Sequence, residues 1–153
     1  MKIIIEKADI SDAAEILALQ KLAYKSEAEI YGDYSIEPLV QTLEEIERQF
    51  EDHIFLKAGY GGTIVGSVRA QCQEGTCRIG KLMVHPEHQN AGIGRQLMTR
   101  MESYFLAPLR LELFTGSRSE KNLRFYEKLG YTRFRTVPIH AYLSLVYLEK
   151  YID

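Results

Sequence analysis

The chain has 153 residues, and its 19 lysines and arginines against 21 aspartates and glutamates give a formal net charge of −2 at pH 7. Because these charges are scattered, we expect neither a nucleic-acid-binding surface nor a polybasic membrane anchor. No apolar run approaches the roughly 18 residues that a membrane-spanning helix needs, and residues 1–7 are too short and charged for a signal peptide. The sequence predicts one cytoplasmic domain, residues 1–153, with no nucleic-acid or membrane partner.

The N-terminal region is predicted to be a strand followed by an amphipathic helix. Residues 2–7 have the apolar content of a strand, and the helix is expected to end near Tyr24. Ser11 and Asp12 are candidate N-cap residues, with Glu15 three residues after Asp12 as in a capping box.

The next part of the sequence changes from helical to strand periodicity. Residues 25–40 are polar and aromatic with weak periodicity, which indicates a helix remnant plus a loop. Thr42 and Glu45 have capping-box spacing and predict a helix to about Glu51. A period of two then predicts an antiparallel meander of three strands, over residues 53–58, 63–73 and 76–84.

The two cysteines lie on opposite sides of a predicted hairpin turn at Glu74-Gly75, which would place Cys72 opposite Cys77. This register is compatible with a cross-strand disulfide, but two free thiols are favoured in a reducing cytosol. A metal site is not expected, because four ligands do not cluster in the sequence.

The stretch His85–Arg95 joins an apolar strand to a helix predicted over residues 92–105. The first amides of that helix lack intrahelical partners, and the helix dipole adds partial positive charge. Since Gly92 and Gly94 permit close backbone approach, a phosphate or pyrophosphate fits there, and Arg95 adds a charged contact.

The C-terminal third is predicted to add three strands and one helix. Leucines alternate with other residues over the strand 109–115, and the helix over 117–129 is stopped by Gly130. Residues 131–137 and 142–151 are expected to pair as a hairpin. Because a helix crosses between strands 76–84 and 109–115, these two strands are predicted to be parallel.

Two motifs together resemble the GCN5-related N-acetyltransferase (GNAT) family. One is Gln-x-x-Gly-x-Gly at residues 89–94, after a strand that ends in Val-x-Pro; the other is the segment 122–131, Asn-Leu-Arg-Phe-Tyr-Glu-Lys-Leu-Gly-Tyr. The resemblance covers essentially the whole chain, most specifically residues 81–131. It implies an α/β fold with a mixed, mostly antiparallel seven-stranded sheet and about four flanking helices. It also implies that the two central parallel strands splay apart around the cofactor's pantetheine arm.

The resemblance implies an N-acetyltransferase that transfers an acetyl group from acetyl-CoA to a primary amine of a small molecule, by direct attack in a ternary complex. Acetyl-CoA would be the cosubstrate, and no metal is implied. Two alternatives stay open: a protein lysine or N-terminal acetyltransferase, and a non-catalytic acyl-CoA-binding module. The oligomeric state is also open, with a homodimer as one option.

The resemblance also implies roles for individual residues. Tyr126 matches the tyrosine that protonates the departing thiolate. Ser119 stands where the family usually has an asparagine, so either Ser119 or Asn122 is expected to contact CoA, with simple helix capping by Ser119 as the alternative. The full set implied for cofactor binding is Leu82, Met83, Val84, Gln89, Asn90, Ala91, Gly92, Ile93, Gly94, Arg95, Ser119 and Asn122.

The resemblance leaves the general base unassigned, because the strand before the glycine loop has no carboxylate. A lysine-like amine has a pKa near 10.4, so presenting it neutral at pH 7 costs about 4.6 kcal/mol. Glu112 is the candidate base; the alternative is a structural ion pair with Arg69 or another arginine. Glu27 and Tyr31 are candidates for binding a cationic acceptor, and His140 is a candidate for the acceptor site or the base.

Overall fold

A computed structural model describes residues 2–153 and contains one seven-stranded sheet with helices on both faces. The strands are β1 (Ile4–Lys7), β2 (Ile54–Tyr60), β3 (Thr63–Gln73), β4 (Thr76–Val84), β5 (Leu109–Gly116), β6 (Thr132–His140) and β7 (Leu143–Ile152). The helices are α1 (Ala13–Ala23), α2 (Lys25–Tyr31), α3 (Glu37–Val40), α4 (Leu43–Gln49), α5 (Ile93–Glu102) and α6 (Glu120–Lys128). The mixed α/β fold predicted from the sequence is confirmed. None of the helices in residues 2–153 has both the length and the apolar character needed to cross a bilayer.

The strand order is β1-β2-β3-β4-β5-β7-β6, and β4 and β5 are the parallel neighbours at its centre. Their parallel arrangement follows from α5, which crosses from the end of β4 to the start of β5. The other neighbouring pairs are antiparallel. The predicted meander and the C-terminal hairpin are both present.

The two parallel strands separate soon after they meet. They pair at three positions, the last of which joins Arg78 to Glu112, although β4 continues to Val84 and β5 to Gly116. The predicted splay is therefore present. We call the gap between residues 79–84 and 113–116 the splay cleft.

The core has two layers, one on each face of the sheet. Helices α5 and α6 cover one face, where Leu97, Met101 and Leu123 pack against strand residues such as Leu111. Helices α1 and α4 cover part of the other face through a smaller cluster that includes Ile16, Ile46 and Phe55. On β5 the leucines point to the α5/α6 face, so Arg110, Glu112 and Phe114 point to the α1/α4 face.

The cap of the first helix differs from the prediction. Asp9 accepts from the Ser11 amide, and Asp12 accepts from the Asp9 amide, so the capping box closes a short 3₁₀ turn before α1. Glu15 instead accepts from the backbone amide of Ile64 on β3, at 2.8 Å. The prediction failed because a contact distant in the sequence satisfies Glu15. The Thr42–Glu45 box is confirmed.

Residues 25–40 are more helical than predicted, since they form α2 and the short α3. Their periodicity is weak because polar side chains on α2 face inward: Tyr31 is buried, and Glu27 is half-buried.

The cysteines also differ from the favoured expectation. Cys72 lies opposite Cys77 in the predicted register, and their Sγ atoms are bonded as a disulfide instead of being free thiols.

Candidate active site

The glycine loop adopts the left-handed backbone that its sequence allows. Asn90 and Gly92 have φ of +62° and +81°, and α5 begins directly afterwards at Ile93. The amide of Gln96 donates to the Gly92 carbonyl at 3.1 Å. The amides of residues 93–95 precede this bond and have no intrahelical acceptor, so they can bind an anion.

The space around the loop indicates which glycine the fold itself requires. A Cβ at Gly94 would lie 3.4 Å from Cζ of Phe125, an ordinary packing distance, so the core does not demand glycine there. Gly92 is required by its positive φ instead. The side chain of Gln89 donates to the Val84 carbonyl at 3.3 Å and holds the loop against the end of β4. Arg95 is exposed and faces solvent.

A β-bulge shapes the side of the splay cleft that β4 forms. Lys81 has φ of +53°, and the pairing with β3 jumps from Gly80 to Met83 at this point. The backbone of Leu82, Met83 and Val84 follows the bulge along the cleft. The Lys81 ammonium lies 2.8 Å from the Glu37 carboxylate of α3; burial lowers the pKa of Lys81, and Glu37 partly opposes this change.

Tyr126 is buried on α6, in the core layer behind β5. Its ring packs edge-on against Phe125 and Tyr131, with centroids 5.3 and 6.1 Å away. Within residues 2–153 its hydroxyl makes no hydrogen bond. Burial raises the pKa of Tyr126 well above that of a free phenol, and the nearby Tyr24 and Glu27 raise it further, so the group stays protonated at neutral pH.

Glu27 connects α2 to α6. Its two carboxylate oxygens accept from the Ser119 hydroxyl at 2.9 Å and from the Asn122 amide at 2.8 Å, and Asn122 also donates to the Thr115 hydroxyl at 3.3 Å. Burial raises the pKa of Glu27, while the bonds from Ser119 and Asn122 act in the opposite direction. Since Asn122 and Tyr126 are one helical turn apart, Glu27 lies on the face of α6 that carries Tyr126.

Ser119 and Asn122 thus contact Glu27, whichever of them also contacts a cofactor. The alternative of helix capping by Ser119 is wrong, because the Ser119 side chain makes no capping bond at the start of α6.

Gly116 is a site residue that the sequence did not reveal. Tyr31 accepts from the amide of Arg118 at 3.0 Å and lies 2.8 Å from the Ser119 hydroxyl. A Cβ at position 116 would overlap the Tyr31 hydroxyl. The only signal in the sequence was a glycine at the end of a predicted strand. Tyr31 and Glu27, which were both predicted for the acceptor site, are therefore brought together around Ser119.

Glu112 lies at the narrow end of the splay cleft and is paired with arginines. Its carboxylate is 2.8 Å from Arg110 and 3.5 Å from Arg78. The structural ion pair suggested as the alternative is therefore present, with Arg110 and Arg78 in place of Arg69. Arg69 is buried beneath α1 and α4, where it donates to Gln49 at 2.6 Å and stacks on Phe55, and burial lowers its pKa to about 10.

His140 lies at the tip of the C-terminal hairpin. Its Nε2 is 3.2 Å from the Asp33 carboxylate, which joins the turn after α2 to the β6–β7 turn. Ser35 holds the pKa of Asp33 below its usual range, with a smaller contribution from His140. His140 therefore contacts the turn after α2, whereas Glu27 is bonded to residues of α6 and the turn before it. No cluster of three His, Cys, Asp or Glu side chains suited to a metal ion occurs in residues 2–153.

One cavity, of about 490 Å³, lies at the far edge of the sheet between β1, β2 and α4. Another, of about 370 Å³, opens beside Glu112 where the parallel pairing ends. Glu27 and Tyr126, whose pKa values are raised, and the exposed amides at the start of α5 lie around the splay cleft, which is therefore the candidate site.

The fold is that of the GNAT class. Residues 51–133 match the family model described as an acetyltransferase (GNAT) domain, which is more than half of the chain. The chain belongs to the GNAT family.

One relative is similar in sequence, and two solved structures share the fold. The chain is 28% identical over 141 residues to UPF0157 protein YqkA of Bacillus subtilis, covering 91% of the chain but only 40% of that relative's length. The crystal structure of the PaiA N-acetyltransferase of Thermoplasma acidophilum in complex with coenzyme A has a TM-score of 0.81 at 20% identity, covering 99% of this chain and all of that one. YncA of Salmonella typhimurium, a putative acetyltransferase whose structure was solved with acetyl-CoA, has a TM-score of 0.77 at 19% identity, covering 100% of this chain and 95% of that one.

Proposed function

We propose that this chain transfers the acetyl group of acetyl-CoA to a primary amine of a small molecule by direct attack. Family membership supports acetyl-CoA as the cosubstrate. The observation that carries the proposal is that Glu27 of α2 is bonded to the face of α6 that carries Tyr126, beside the splay cleft.

In this proposal, main-chain groups make most of the contacts to acetyl-CoA. The free amides at the start of α5 bind the pyrophosphate, with support from the loop residues 89–92 and from Arg95. The backbone of residues 82–84 binds the amide groups of the pantetheine arm in the manner of an added strand. Ser119 and Asn122 contact CoA only through the faces that are not bonded to Glu27. The donor set fits an anion with an extended polar arm.

The chemistry needs one base and one acid. The amine nitrogen attacks the thioester carbonyl carbon, the C–N bond forms, and the amine gives a proton to Glu27. The C–S bond then breaks, and the departing thiolate takes the proton of Tyr126. Proton exchange with solvent restores both groups. A carboxylate with a raised pKa is a better base for this step than an ordinary one.

We assign the base to Glu27 in preference to Glu112. The carboxylate of Glu112 already makes ion pairs with Arg110 and Arg78. Glu27 receives only neutral donors, from Ser119 and Asn122. Tyr31 positions this network, and His140 limits the acceptor side through its contact with Asp33.

Two measurements on the purified chain test the proposal. Titration calorimetry with acetyl-CoA should give saturable binding, and thiol release should accelerate with small primary amines. Absence of binding would remove the proposal. Binding without turnover on amines or peptides would indicate an acyl-CoA-binding module, and turnover on peptides alone a protein acetyltransferase.

A further inference from the structure

The cavity of about 370 Å³ at the narrow end of the splay cleft opens on the α1/α4 face of the sheet. Its walls include Arg78 and Glu112 on one side and Phe114, Phe134, Arg135 and Tyr147 on the other. We call it the sheet-face pocket. Its volume suits a small organic molecule, and its walls combine aromatic rings with a few charged groups, as ligand pockets commonly do.

A β-bulge on β6 directs two consecutive side chains into this pocket. Arg133 pairs with Leu148 and Arg135 with Tyr147, so Phe134 is the extra residue. In a regular strand, Phe134 and Arg135 would point to opposite faces. Here the Phe134 ring lies 6.2 Å from the Tyr147 ring, and the Arg135 guanidinium lies 4.3 Å from the same ring centroid.

The charges in the pocket are not balanced. Glu112 is already paired with Arg110 and Arg78. The Arg135 side chain is exposed and stacked on Tyr147, and it makes no ion pair with any residue from 2 to 153. A planar guanidinium over an aromatic ring suits a carboxylate on an apolar or aromatic body. Because Glu112 is nearby, a singly charged anion fits better than a dianion.

The pocket lies within reach of the proposed base. Phe114 and Gly116 are two residues apart on the same face of β5, which is about 7 Å along the strand. Gly116 touches Tyr31, and through Ser119 Tyr31 is linked to Glu27. A molecule held at Arg135, beside Tyr147 and Phe114, would therefore have to be elongated, because it must span at least this step of roughly 7 Å to place an amine beside Glu27.

We propose that the acceptor is an elongated amine with a carboxylate at its far end, bound by Arg135, and an apolar or aromatic body between the two groups. This inference rests on the proposed function and specifies its acceptor class. Arg78 and the three aromatic rings complete the binding surface.

The test compares 4-(aminomethyl)benzoate with 4-methylbenzylamine, in which a methyl group replaces the carboxylate. With saturating acetyl-CoA, kcat/KM for the benzoate should exceed that for the neutral amine at least tenfold. Arg135→Gln should reduce this ratio at least tenfold, mainly through KM for the benzoate. Arg133→Gln is the matched control, because Arg133 is a neighbouring exposed arginine bonded to Glu127 on the other face; it should leave the ratio unchanged.

Several outcomes would overturn the inference while leaving the acetyltransferase proposal intact. These are equal or better use of the neutral amine, a ratio that Arg135→Gln does not change, and dissociation of an oligomer by Arg135→Gln with equal loss for both amines. The last outcome, read by light scattering, would make this face a subunit interface.

Calorimetry decides the inference even without turnover. The benzoate should bind the wild-type chain, with or without CoA, at least tenfold more tightly than it binds Arg135→Gln. Absence of such Arg135-dependent binding would overturn the inference. Failure of acetyl-CoA itself to bind would instead overturn the proposed function.

Discussion

The hydroxyl of Tyr31 occupies the space that a side chain at position 116 would need. From there it lies 2.8 Å from the Ser119 hydroxyl and accepts from the Arg118 amide, so α2 is fixed to the turn between β5 and α6. Glu27, on the same helix as Tyr31, is bonded to the same serine. The position of the proposed base therefore depends on the absence of one methyl group at Gly116.

Gly116→Ala should displace Tyr31 and lower the free energy of unfolding by about 1 to 3 kcal/mol, since a close-packed site must accept extra volume. Because Glu27 would shift with α2, kcat/KM should fall as well. Chemical denaturation and steady-state rates measure the two effects. The control is Gly80→Ala on β4, where an added Cβ meets nothing within 4 Å and stability should change little. Equal stability of the two variants would contradict the overlap at Tyr31.

Tyr126→Phe should reduce kcat about 100-fold or more and leave the Kd for CoA nearly unchanged, because only the proton donor is removed. Initial-rate assays of thiol release measure kcat, and calorimetry measures the Kd for CoA. Tyr131→Phe is a suitable control: the Tyr131 ring packs against Tyr126, but its hydroxyl donates to Glu102 at 2.9 Å. That variant should lose stability and retain kcat. An unchanged kcat in Tyr126→Phe would remove Tyr126 from the mechanism.

Glu27→Gln should separate catalysis from stability. Burial raises the pKa of Glu27, so the folded chain binds this proton more tightly than the unfolded chain, and stability is lost as pH rises through the raised pKa. Glutamine does not ionise, so the variant does not lose this stability as the pH rises. At pH 8 the variant should have a Tm equal to or above that of wild type, while kcat falls about 100-fold.

The pH dependence of kcat/KM gives a second measure of the same group. The wild-type rate should rise with pH as Glu27 loses its proton, at a pH above the ordinary carboxyl range, and Glu27→Gln should lack this rise. Glu29→Gln, an exposed change on α2, is the control and should match wild type. A lower Tm with unchanged kcat would assign Glu27 a structural role only.

Two glycine variants should distinguish ligand approach from backbone strain. Gly94→Ala fits the protein's own packing, so its stability should be close to that of wild type, while the Kd for CoA rises at least tenfold. Gly92→Ala requires an alanine at φ of +81°, so it should lose about 1 to 2 kcal/mol of stability in addition to affinity. Thermal denaturation and calorimetry measure both. Normal CoA affinity in Gly94→Ala would contradict close approach of the diphosphate to this residue.

The fold could be predicted from the sequence wherever local pattern and tertiary packing agree. The bounds of β3 and β4 match the prediction, because their alternation and the turn at Glu74-Gly75 are both local signals. The parallel pairing of β4 and β5 follows from one helix between two strands. The glycine loop could also be predicted from a local signal, since Gly92 provides the left-handed turn and α5 follows directly after it.

The remaining features depend on contacts between distant residues. The helix α2 was obscured because Glu27 and Tyr31 face polar partners 88 to 95 positions further along the chain. Arg69 was named as one possible partner of Glu112, because a carboxylate on a central strand needs a partner and the sequence does not show which arginine supplies it. The register of the sheet instead places Arg69 under α1, among glutamines. The bulge that turns Phe134 and Arg135 to one face leaves no pattern in the sequence.

The early end of pairing at Arg78 and Glu112 has a consequence for the backbone on either side. Beyond that point β4 stays paired with β3 and β5 with β7, but the main-chain donors and acceptors that face the cleft have no partner strand, at the centre of the sheet instead of at its edge. Amide protons there should exchange with deuterium within seconds in the free chain. They should become slow when CoA completes the missing ladder, so hydrogen exchange would report occupancy one residue at a time.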